Sequence, residues 1–194
     1  MAIPKNTIIP KGSGQFMKFQ EGANRVRFLS NVTVGWEGWK DKKPFRHEGS
    51  VCQITPDQVD LNQNHKPNIN YFWAMAVWNY TDKSVQVLEV TQKTIMSQLF
   101  NLEQNADWGD LKGYDVEVTK KTEGDKTSYM VAPIPPKPLS VEIEKAYSES
   151  KIDLRKLFEG EYPMPKKEYK DGEVPPNQVP DLTSPDMGSD DISF

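Results

Sequence analysis

The chain has 194 residues, a formal net charge of −4 and a mean hydropathy of −0.70, with 36% hydrophobic and 10% aromatic residues. That aromatic content, five Trp, seven Tyr and eight Phe, excludes a chain disordered throughout. No apolar run reaches the ~18 residues of a membrane-spanning helix, and a single cysteine, Cys52, excludes an internal disulfide framework, so a cytoplasmic protein without membrane contact is expected.

Residues 1–23 hold few apolar residues and include Pro4, Pro10, Gly12 and Gly14, which reads as an N-terminal arm. From Asn24 the pattern becomes that of a strand: Val26, Phe28, Val32 and Val34 share one parity, and Arg25, Arg27, Asn31 and Thr33 the other. This parity points Arg25 and Arg27 outward. Gly35 and Gly38, flanking Trp36, predict a bend in a long first strand. The stretch 40–46, with Lys40, Lys42, Lys43, Phe45 and Arg46, reads as a basic connection. The run INYFWAMAVWNY (69–80) is apolar in both parities and predicts a central strand covered on both sides, returning through 85–90 as a hairpin. Ile95, Leu99 and Leu102 fall on one helical stripe, which predicts a helix over 92–104. Residues 114–119 and 128–132 form a second hairpin. The prolines at 133–138 end the body, and Leu154, Leu157 and Phe158 mark a short helical extension over 140–159.

Strand, hairpin, helix, hairpin is the order of a five-stranded OB-fold barrel with one helix between strands 3 and 4, here over 24–139; other small barrels share parts of this pattern. The charge is uneven. Residues 1–139 carry 17 Lys/Arg against 15 Asp/Glu, whereas 140–194 carry 7 against 13, and ten of the fifteen prolines lie at 133–194. A basic-leaning, aromatic body is thus followed by an acidic, proline-rich tail, expected to be disordered over 160–194.

Unpaired nucleic acid demands cations for its phosphates and flat faces for its bases. Trp36, Trp39, Phe45, Tyr71 and Trp73 supply rings, and Arg25, Arg27, Lys40, Lys42, Lys43 and Arg46 supply charge. Trp39 and Phe45, flanking the basic connection, read as the leading stacking platforms. The chain ends in SDDISF, where Asp190, Asp191, Ile192 and Phe194 form a peptide suited to a basic-rimmed apolar pocket on a partner protein. His47, Cys52 and His65 are too few for a structural zinc site. Asp107, Asp110, Asp115 and Glu117 keep open a metal-dependent nuclease. No cofactor or metal is expected.

EGANRVRFLSNVTVGWEGW (21–39), YFWAMAVWNYTDKSVQVLEVTQKTI (71–95), DWGDLKGYDVEV (107–118) and PIPPKPL (133–139) resemble the single-stranded DNA-binding proteins of tailed phages and prophages. The ending resembles the acidic, Phe-terminated peptide of such proteins, with Ser193 in place of the bacterial proline and only two consecutive acids. The resemblance implies an OB fold, no enzymatic activity, and sequence-independent binding of single-stranded DNA in replication, recombination and repair within the host cytoplasm. It further implies recruitment of a polymerase, helicase or primase, or nuclease through the tail, with self-association open. The alternatives are a protein-recruiting adaptor with weak or RNA-directed binding, and the nuclease.

Overall fold

The run at 69–80 becomes the centre of the molecule. A computed structural model describes residues 15–165 and contains, within them, strands β1 (Phe16–Met17), β2 (Gly22–Phe28), β3 (Thr33–Lys40), β4 (Lys43–Glu48), β5 (Ile69–Asn79), β6 (Ser84–Val90), β7 (Asp115–Glu123) and β8 (Lys126–Pro133). Helix α1 (Lys93–Gln104) precedes β7, and α2 (Val141–Ser150) follows β8; one-turn 3₁₀ helices lie at Pro56–Gln58, Leu111–Gly113 and Leu154–Phe158.

One side of β5 pairs with β6. Along the other, β3 and β2 lie end to end, Thr33 opposite Ala74 and Phe28 opposite Val77. The long first strand is therefore two strands, broken at 29–32 and not at the glycines. Gly35 and Gly38 answer to crowding. A Cβ on Gly35 would stand 2.7 Å from Phe158 Cε1, and one on Gly38 would stand 2.7 Å from Phe45 Cζ. The basic connection is also corrected: 43–48 is strand β4, joined to β3 through Asp41 and Lys42, whose φ of 52° and 62° make a tight left-handed turn.

The sheet is mixed, in the order β1-β6-β5-β2-β7-β8, with β1 parallel to β6 and β3 carrying β4 to one side. This corrects the expected five-stranded barrel, because the sheet has eight strands and does not close. An open edge leaves backbone polar groups in need of partners. On β6 that edge is taken by β1. On β8 it is taken by α1, where the Gln98 side chain accepts from Val131 N (2.9 Å) and donates to Tyr129 O (3.2 Å).

Both faces of β5 are covered, as its composition predicts. Met75 and Val77 join Val26, Phe28, Leu88, Ile95, Leu99 and Val116 in the main core beneath α1. Phe72, Ala74 and Trp78 face the other way, against Leu157 of the last 3₁₀ turn and Ile143 of α2. The segment 140–159 thus closes the second face of the sheet. Burial of Ile143 and Leu157 contributes about 1.5–3 kcal/mol each. No helix among the described residues is long and apolar enough to cross a membrane.

Candidate nucleic-acid interface

Residues directly opposed across an antiparallel ladder share a face. Trp36 of β3 opposes Tyr71 of β5 and His47 of β4, Gly38 opposes Phe45, and Lys40 opposes Lys43. Trp36, Phe45, Tyr71, Trp73, Lys40 and Lys43 therefore stand on one face. The Trp36 and Tyr71 rings touch, with centroids 5.1 Å apart, and Trp36 Nε1 donates to Ser50 O at 3.1 Å. Phe45 lies over Gly38 and meets His47 edge-on at 6.5 Å. All four aromatic residues are partly exposed, and both lysines are exposed.

Among the strand residues, the charge on this face is one-signed. The acids of β3, β4 and β6 (Glu37, Glu48 and Glu89) all fall in the opposite parity, and β5 has none. Two lysines held directly opposite repel each other, a destabilising arrangement that an anion between them relieves. Lys42, exposed in the left-handed turn, adds a cation at this end, beside the exposed Asp41 of the same turn, whose N–H donates to the Asp60 carboxylate. The adjoining loop supplies Asp57, which is within electrostatic reach of Lys40 and whose carboxyl is held low chiefly by the Thr55 hydroxyl.

The remaining predicted site residues lie elsewhere, and the expectation that Arg27, Trp39 and Arg46 face an open groove is corrected. Arg27 is 4% exposed: it donates to Asp115 Oδ1 (3.1 Å), Lys112 O (3.0 Å) and Lys137 O (2.9 Å), tying the proline segment back to β2. Arg25 keeps part of its side chain in solvent but is paired with the same buried Asp115 and lies 4.5 Å over the Tyr80 ring. Trp39 is 7% exposed and gives its N–H to Glu37 at 3.1 Å, so it is no stacking platform. Arg46 is held between Glu37 and Glu89, 3.1 Å from each, over the Phe72 ring. Burial pushes the Glu89 carboxyl up to about 7, with Arg46 opposing the shift and Glu37 adding to it.

Helix α1 supplies a part that the sequence reading missed. Lys93, Met96, Ser97, Phe100 and Asn101 border an open groove of about 370 Å³ whose other wall is Tyr71 and Trp73. Phe100 is 54% exposed, with its ring at the groove. The signal was available, since Phe100 flanks the helix's buried stripe without belonging to it. The Trp73 indole N–H is buried without an acceptor.

The nuclease candidates are not brought together. Asp110 caps a 3₁₀ turn through Lys112 N, and Asp115 is committed to two arginines and the Tyr80 hydroxyl. Among the described residues no three His, Cys, Asp or Glu side chains gather as metal ligands. The terminal peptide with Asp190, Asp191, Ile192 and Phe194 lies outside the described residues, as do residues 166–194 of the expected tail and residues 1–14 of the arm read over 1–23. Searches against protein-family models, curated proteins and solved structures give no match.

Proposed function

We propose that this protein binds single-stranded DNA, without sequence preference, along the face formed by Trp36, Phe45, Tyr71 and Trp73 and edged by Lys40, Lys42 and Lys43. The observation that carries this reading is the division of the β3–β4–β5 sheet by parity. Partly exposed rings and lysines collect on one side, and every acid of these strands and β6 lies on the other. Bases inside a duplex have their faces already stacked, whereas unpaired bases offer them, and ring-on-base stacking contributes about 1–3 kcal/mol per base whatever the sequence. The path β6-β5-β2-β7-β8, with α1 between the two halves, supports an opened OB-type scaffold.

The biological setting follows the sequence resemblance. The protein would coat single strands in phage or prophage replication, recombination and repair, in the host cytoplasm, with no catalysis or cofactor of its own. Its acidic ending would recruit a polymerase, helicase or primase, or nuclease, with self-association on the strand open. The test is a tryptophan-fluorescence titration with poly(dT), single-stranded RNA and duplex DNA, with and without Mg²⁺. Tight binding of poly(dT) with weak duplex binding and an intact strand is expected. Absence of binding would leave the adaptor reading, and cleavage in Mg²⁺ the nuclease.

A further inference from the structure

The groove between β5 and α1 adjoins the proposed strand-binding face and shares Tyr71 and Trp73 with it. Its far wall comes from a different element, and its chemistry is narrower. The walls are aromatic rings and the Met96 thioether, and besides the Tyr71 hydroxyl and the Trp73 N–H the polar side chains are Lys93, Ser97 and Asn101. No acid lines it. At about 370 Å³ it stands at the small end of ligand sites, which span about 300–1,000 Å³, so it has room for a single flat ring system. Phe100, more than half exposed, is held at the rim while its helix neighbours Ile95 and Leu99 are fully buried. Truncating it therefore leaves the core untouched.

We infer that this groove is a base slot: one unpaired nucleobase of the bound strand leaves the Trp36–Tyr71 surface and inserts between Trp73 and Phe100. Lys93 at the slot's edge receives the adjoining phosphate, and Asn101 offers both a donor and an acceptor to the base edge. The inference rests on the single-strand reading of the face and adds to it a fixed register, since only one base per protein occupies the slot. A strand merely lying on exposed rings has no privileged position. A strand with one inserted base has one.

The experiment uses the shortest oligothymidine bound at full affinity, so that its register is fixed, and replaces each nucleotide in turn by an abasic residue. For the unaltered protein, one position should weaken binding by about 5- to 140-fold, the range that one stacked base supplies. In Phe100→Ala the penalty from the same abasic residue should shrink, because one of the base's two stacking partners is gone and only Trp73 remains, and in Phe100→Trp the full penalty should return. Thermal melting of both variants should match the unaltered protein. A flat abasic profile in a protein that binds the oligothymidine, or a penalty that is undiminished in Phe100→Ala, would overturn the slot and leave the face standing. Failure of the unaltered protein to bind oligothymidine would overturn both.

Discussion

Trp36 and Trp39 stand three positions apart on β3 and face opposite sides of the sheet. Trp36 packs against Tyr71 with its edge in solvent, and Trp39 is enclosed with its N–H on buried Glu37. Identical side chains on one strand thus have different consequences. Trp36→Ala should weaken poly(dT) binding by about 1–3 kcal/mol with little change in melting temperature. Trp39→Ala removes a buried ring and leaves Glu37 short of a donor, so it should destabilise the fold by about 3–5 kcal/mol. Fluorescence titration beside urea denaturation separates the two, and a Trp39→Ala protein that is stable but unable to bind would reverse the assignment of faces.

How far the sequence carried this distinction depends on how local each signal was. The helix at 93–104 and the doubly covered strand at 69–79 were legible because their burial is written in adjacent residues. Strand β4 was not, since Lys43, Arg46, His47 and Glu48 look like a loop until β3 is placed beside them. Arg27 misled for a deeper reason. Simple alternation sends it outward, but its directly opposed partner on β7 is Asp115, 88 residues away, and two opposite charges paired in register can be buried together. Nothing near Arg27 in the sequence announces that pairing. The glycines of β3 misled similarly, because crowding by Phe158 and Phe45 comes from other elements.

Arg27→Ala follows directly from that buried pair. Removing it leaves Asp115 with only the partly solvated Arg25 and the Tyr80 hydroxyl, and frees the carbonyls of Lys112 and Lys137. Breaking a buried pair from one side typically destabilises by about 3–5 kcal/mol, and urea denaturation should show a loss of that size. Poly(dT) affinity of the folded fraction should stay within about twofold, because Arg27 is enclosed. A stable Arg27→Ala protein with lost DNA affinity would return this arginine to the binding face.

Salt should report the lysines. With about 3–4 phosphate contacts from Lys40, Lys42, Lys43 and Lys93, the log–log slope of affinity against salt should be about −2 to −3. Lys43→Glu places an acid directly opposite Lys40, among strand residues that contribute none to this face, so the slope should become shallower by at least about 0.7. An unchanged slope would move the phosphate path off the β3–β4 hairpin.

The last prediction concerns Glu89, whose carboxyl titrates near 7 in the fold against 4.5 in the unfolded chain. A raised pKa in an acid means that the folded protein holds the proton more tightly. Between pH 4.5 and about 7 the folded state binds more protons than the unfolded one, so this group's contribution to stability falls as pH rises through that window. The interval corresponds to about 3 kcal/mol, a net effect in which burial outweighs Arg46, which favours the charged form, while Glu37, which shares that arginine, adds to the shift. Glu89→Gln keeps the shape and removes the titration. Arg46 stays paired with Glu37, so the β3–β4 hairpin should remain in place. Measured by urea denaturation, the variant should gain stability relative to the unaltered protein between pH 5 and pH 8, because only the unaltered protein must ionise a buried carboxyl over that range. A stability difference that is the same at both pH values would mean that Glu89 is already ionised at pH 5 and that Arg46 outweighs the effect of burial.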